Sequence, residues 1–191
     1  MPGIKDWIYR YRHNRGFGVQ SPYAFHFVTS VLREKHHYYA YATIAHAAKQ
    51  CGASASHCRR LFRIANYAQP GSILLAAPDA AAAHAITAAR PSAQVLAVDG
   101  SGKELFTAGN TSWMLYVGHT ADYATAVGEA LTHTGNDSII IVEGIHTSRK
   151  KREWWESIKQ NSAVGVTFDL YSMGIMFFDK KYKKQHYTLK M

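Results

Sequence analysis

Two carboxylates sit where apolar runs end. Asp99 follows Gln94-Val95-Leu96-Ala97-Val98, and Glu143 follows Ser138-Ile139-Ile140-Ile141-Val142. His119 stands just past a third run, Trp113–Val117. A carboxylate beside an imidazole can orient it and help it move a proton, so Glu143 and His119 form a candidate general acid/base pair. A plainer reading carries more weight: both are solvated strand-end residues, and Asp99 closes a turn with Gly100. Asp79, in Pro78-Asp79-Ala80, has the type and place of a helix N-cap. The eleven histidines are scattered, and the adjacent His36-His37 suit no shared metal. Cys51 and Cys58 form neither a CxxC pair nor a zinc spacing and read as free thiols of a reducing compartment.

Two aromatic and basic segments could bind nucleic acid. Trp154-Trp155 follows Arg149-Lys150-Lys151-Arg152, and adjacent tryptophans can stack on bases. Their helical spacing to Ile158 favours a core role instead. The tail Lys180-Lys181-Tyr182-Lys183-Lys184-Gln185-His186 could grip phosphates, but a charge run is more often a solvated segment. Charge is segregated along the chain: residues 1–63 carry ten Lys/Arg against two acids, 64–148 two against seven, and 149–191 ten against four. The overall charge of +9 therefore comes from the two ends, which admits polyanion binding as an alternative function. No RRM, KH, zinc-finger or helix-turn-helix signature accompanies it.

The elements that must position these residues follow from period and punctuation. Residues 4–12 suggest a short helix, and Asn14–Gly18 a turn. Ser21-Pro22 starts a helix whose apolar stripe reads Phe25, Val28, Thr29 and Leu32. Helical segments follow at 38–49 and 55–68, the latter facing inward with Leu61, Phe62, Ile64 and Ala65. From Pro70-Gly71 the pattern changes to short continuous apolar runs, which suit buried parallel strands: 72–76, 94–100, 113–117 and 138–143. Helices at 80–89, 121–132 and 148–160 alternate with them. Val164–Leu170 and Ile175–Phe178 read as a closing hairpin around Ser172–Gly174. The expected fold is α/β: a Rossmann-like, doubly wound, mainly parallel sheet with a C-terminal antiparallel hairpin. It forms a single domain, with residues 1–69 a helical cap over the carboxyl edge and 70–191 the core. At 191 residues such a domain buries roughly 70% of its unfolded surface, so it needs no staples. No run approaches the ~20 apolar residues of a membrane helix, and a charged beginning reads as no signal peptide, so a cytoplasmic protein is expected.

The plan resembles class I S-adenosylmethionine (SAM) methyltransferases. Gly18-Val19-Gln20-Ser21-Pro22-Tyr23-Ala24-Phe25, Leu61-Phe62-Arg63, Thr167-Phe168-Asp169-Leu170 and Gly174-Ile175-Met176-Phe177-Phe178 are similar to small bacterial O-methyltransferase-like proteins with an N-terminal helical cap. The resemblance implies methyl transfer from SAM to a small-molecule acceptor. It also implies a cofactor turn at Leu75–Ala81, with Ala76, Ala77 and Asp79 in contact with SAM and Asp99 on the ribose hydroxyls.

Three departures shape the expectation. The turn Leu75-Ala76-Ala77-Pro78-Asp79-Ala80-Ala81 has none of the glycines the family uses where its backbone must approach the cofactor. Only Gly100–Ser112 separates Asp99 from the next strand, too short for the family's helix, strand and helix, so the sheet should be shortened at one edge. The strand 113–117 is followed by Gly118-His119 and the strand 138–143 ends in Glu143, one carboxylate where metal-dependent relatives have several, so no metal is assigned. SAM binding and catalysis are accordingly expected to be eroded, with no cofactor held. The fold would then serve as a pseudoenzyme or binding module, and its exposed sheet edge would invite a homodimer.

Overall fold

A computed structural model describes residues 21–98 and 112–189. The expected helix 4–12, the turn 14–18, Asp99 and nearly all of Gly100–Ser112 lie outside the described residues.

Seven strands form one sheet in the order β2-β1-β3-β4-β6-β5-β7: β1 Ser72–Ala76, β2 Gln94–Ala97, β3 Trp113–Val117, β4 Ile139–Glu143, β5 Val166–Asp169, β6 Met173–Phe177 and β7 Gln185–Thr188. Strands β2, β1, β3 and β4 pair in parallel, and β6 runs antiparallel between β4 and β5. This is the doubly wound, Rossmann-like architecture with a C-terminal hairpin. Among the described residues β2 is the outermost strand on its side. It was expected to be buried, yet three of its four residues are exposed, and Val95 is 46% exposed. Only β1 flanks it.

Six α-helices flank the sheet among the described residues: α1 Pro22–Phe27, α2 Tyr41–Gln50, α3 Ala55–Ala68, α4 Ala80–Ala89, α5 Tyr123–Ala130 and α6 Arg149–Ile158. Successive strand side chains point to opposite faces, so each strand feeds two cores. Ile73, Leu75, Met114, Tyr116, Ile139 and Ile141 meet α1–α4 on one face. Leu74, Ala76, Leu115, Val117, Ile140 and Val142 meet α5 and α6 on the other. Helices α1–α3 form a layer on one sheet face, together with α4. Their contacts with α4 hold them there.

Local chemistry explains these helices. Ser21 caps α1, accepting from the Ala24 N–H, and Pro22 stands at its first turn. The helix then widens into a π-turn over Val28–Leu32. Val28 and Leu32 are buried as expected, joined by Ala24, Phe27 and Val31, whereas Phe25 and Thr29 face solvent. Arg63 on α3 donates to the Val31 and Leu32 carbonyls at 2.7 and 2.8 Å, supplying partners for the end of that turn.

The basic tail is not simply a solvated segment. Gln185–Thr188 form β7, parallel to β5. Tyr187 stacks on Phe168 at 5.3 Å, Thr167 Oγ1 bonds His186 Nδ1 at 2.9 Å, and Leu189 is buried. Trp155 fulfils its expected core role with no exposure, its ring lying where a Cβ on Gly174 would stand, 2.5 Å away. Trp154 packs edge-on against Tyr123. Among the described residues no helix is long and apolar enough to cross a membrane.

Gly174→Ala should therefore destabilise the fold by about 2–3 kcal/mol, read from urea unfolding, because the Trp155 ring is packed on all sides. Burial first, then the charges of Lys159 and Lys184, lowers the His186 pKa below its usual 6.5. The folded state then binds fewer protons than the unfolded chain, so β7 is held fully above about pH 6.5 and loses stability as pH falls through the lowered value. Amide protection factors over 185–188 should fall in that window, and His186→Ala should flatten the dependence.

Candidate functional site at the carboxyl edge of the sheet

The strand order reverses direction between β1 and β3, and in open α/β sheets the crevice outside such a point is where ligands bind. Here β1 leaves the sheet through Ala76-Ala77 and β3 through Val117-Gly118. Ala77 has φ +44, in the left-handed region, although it carries a Cβ. The missing glycines therefore did not abolish the turn. Alanine takes the strained conformation at a cost of roughly 1–2 kcal/mol. Gly118 shows what holds it there. The Gly118 N–H donates to the Ala76 carbonyl at 2.8 Å, and a Cβ at 118 would stand 1.9 Å from the Ala77 oxygen. Of the two residues at this close approach, Gly118 is the one without a side chain.

The turn borders a cleft of ≈ 320 Å³ lined by Ala76, Ala77, Val98, Ala121, Asp122, Thr125 and Ala126. Five of these seven are alanine or valine, so the walls are small and apolar, with Asp122 and Thr125 at one side. Asp122 caps α5, accepting from the Ala124 and Thr125 amides and from the Thr125 hydroxyl at 2.7 Å. Those bonds, the Thr125 hydroxyl first, lower its pKa. Asp79 caps α4 as expected, accepting from the Ala82 N–H at 2.7 Å. Of the four residues placed at a cofactor by resemblance, Ala76 and Ala77 line the cleft. Asp79 serves its own helix, and Asp99 lies outside the described residues just beyond Val98.

Glu143 is 1% exposed at the end of β4, and its main partner was not foreseen. His57, from the first turn of α3, places Nε2 2.8 Å from Oε1. The expected partner, His119, stands 3.9 Å from Oε2, too far for a hydrogen bond. His119 comes this near because Gly144, at φ +63, has no Cβ; one would lie 2.7 Å from the imidazole. His57 sits 86 residues from Glu143 in sequence, and no local pattern links them. Further groups share this environment. Burial first, then Glu143 and Asp79, pushes the Tyr116 phenol far up, and burial pushes the Cys58 thiol up to about 11. Lys151 is buried with its ammonium 4.7 Å from the Tyr123 ring centre; burial lowers its pKa and the Glu143 charge opposes that.

A second histidine–carboxylate pair, also unforeseen, lies at the end of β5. His146 Nε2 meets Asp169 Oδ2 at 2.7 Å, and Tyr171 stacks on the imidazole at 5.0 Å. Its only sequence signal was the acid closing a strand, the feature that singled out Glu143. Among the described residues no group of three or more His, Cys, Asp or Glu is arranged to hold a metal ion.

The fold is that of SAM-dependent methyltransferases. The O-methyltransferase TomG from Streptomyces achromogenes, solved in complex with SAM and involved in tomaymycin synthesis, superposes with a TM-score of 0.52 at 13% identity, over 88% of this chain and 98% of that one. A methyltransferase from Geobacter sulfurreducens gives 0.51 at 12%, over 84% and 98%. No protein-family model matches the chain, and no curated protein matches it in sequence.

Ala77→Gly should leave stability unchanged or raise it by up to about 1 kcal/mol, since relief of the left-handed strain outweighs the added freedom of the unfolded chain. Ala77→Val should lower it by about 1–2 kcal/mol. Paired urea titrations read both.

Proposed function

We propose that this chain is a SAM-dependent methyltransferase-like protein that holds the adenosyl part of SAM in the cleft between the β1 turn and α5 and acts on a small-molecule acceptor. The observation that carries the reading is the left-handed Ala77 pressed against Gly118. It keeps backbone and small side chains, instead of bulky ones, around a cleft at the switch point. Ala76 and Ala77 would border the ligand, and Asp122 and Thr125 would offer polar contacts. SAM, when bound, supplies an electrophilic methyl group. His57, held by Glu143 at 2.8 Å, is the group we assign to take the acceptor's proton. Holding acceptor and methyl donor in line supplies the rest.

One observation favours a competing reading, in which the fold persists without its cofactor. Asp79 already places a carboxylate at the α4 N-terminus, beside the turn, so that end has no free positive dipole to offer.

Titration of the full chain with S-adenosylhomocysteine separates the two. Saturable binding should raise stability by about 2.7 kcal/mol at a hundredfold excess over Kd. Thr125→Trp, which fills the cleft from an exposed helical position, should abolish the effect while the circular dichroism spectrum is kept. Absence of any shift with the wild-type chain sinks the cofactor reading and leaves the fold-only one.

A further inference from the structure

Leu32 at the end of the π-turn, the loop after it, Tyr41 of α2 and helix α3 border a second, open pocket of ≈ 580 Å³. Its lining includes Arg33, Lys35, Arg59, Arg60 and Arg63 against the single carboxylate of Glu34. That acid is already engaged, accepting from the His36 N–H at 2.9 Å and facing the His36 ring at 2.6 Å. We propose that this pocket binds a small phosphorylated molecule, with its phosphate held by Arg59 and Arg60.

Helix α3, Ala55–Ala68, contains no Asp or Glu, yet it carries arginines at 59, 60 and 63. Like charges three and four positions apart on a helix repel, and nothing on this helix offsets them. The three differ in what they do. Arg63 is spent on structure: its guanidinium is tied to the Val31 and Leu32 carbonyls and the Tyr41 hydroxyl. Arg59 lies over the Tyr41 ring at 5.1 Å, which fixes its plane and leaves its Nε buried without a hydrogen-bond partner. Arg60 Nε is likewise buried without one, and no carboxylate forms an ion pair with either side chain among the described residues. Burial and the neighbouring Arg63 both oppose the charge on Arg60, with Glu143 only partly offsetting them. A buried guanidinium donor left unmatched is costly, and a phosphate is the partner whose oxygens fit its fork.

The pocket is open to solvent with room for a small ligand, and Leu32 and Tyr41 supply apolar wall beside the charges. A nucleic-acid backbone would call for an extended basic track instead. This site is separate from the cofactor cleft, because none of its lining residues lines that cleft.

The test is calorimetric titration of the full chain with inorganic phosphate and with glycerol 3-phosphate at fixed ionic strength. Saturable binding is expected, tighter for the organic phosphate. Arg60→Gln should weaken it roughly tenfold or more. Arg152→Gln, which removes the same charge from an exposed position on the opposite sheet face, should leave it unchanged. In phosphate-free buffer Arg60→Gln should melt no lower than the wild type, since it removes a repelled charge; a merely structural arginine would lower the melting temperature. Should Arg60→Gln fail to fold, the exposed Lys35→Gln must weaken binding in its place. No saturable binding of either phosphate overturns the proposal, as does equal weakening by Arg152→Gln. Binding of a single-stranded oligonucleotide alone, steeply salt-dependent and indifferent to Arg60, also overturns it. None of these outcomes depends on whether SAM binds.

Discussion

The carboxyl edge of this molecule depends on one backbone contact, the Ala77 carbonyl lying against the α-carbon of Gly118. Two parallel strands diverge there, and the space between their exits exists only because one of the two residues lacks a side chain. Elsewhere in the fold a glycine also stands at a close approach: Gly144 beneath His119, and Gly174 beneath Trp155. The sheet edge is thus shaped less by what side chains reach for than by where they are omitted. Charged groups then occupy the ground so defined, with Glu143 buried at the end of β4 and His57 brought to it from another layer.

That division accounts for which features could be read from the residues alone. Strands β1 and β3 and helix α4 were legible to the residue, since apolar runs and an alanine-rich stretch between turn residues are local signals. Strand β7 was hidden, because Gln185-His186-Tyr187-Thr188 has no apolar run and is stabilised by Phe168 and Thr167, which the chain meets only after folding. Strand β2 read as buried from its Val-Leu-Ala composition, but burial depends on neighbours, and composition does not count them. The candidate site divides in the same way. Glu143 was legible as an acid closing an apolar run, whereas His57 became its partner through the packing of α3 on the sheet. The β1 turn lacks glycine, yet Ala77 takes the left-handed backbone there, and Gly118 leaves room for it from the facing strand.

Cations are handled differently on the two sheet faces. Lys151 is buried over an aromatic ring near Glu143, an arrangement in which burial and the nearby negative charge oppose one another. Arg63 spends its hydrogen bonds on helix carbonyls. Arg59 also lies over a ring and Arg60 also feels Glu143, but each keeps a buried Nε without a hydrogen-bond partner, which sets them apart from Arg63.

The two thiols sit seven residues apart in sequence and in unlike surroundings. Cys51 is at the surface, while Cys58 is sealed beneath α3 with its ionisation suppressed. An alkylating reagent therefore meets an open thiol first and gains the second only when α3 lifts from the sheet. Because His57 precedes Cys58 directly, the same lifting would draw the imidazole away from Glu143. The slow thiol is in effect a clock for how often the edge of the sheet comes apart.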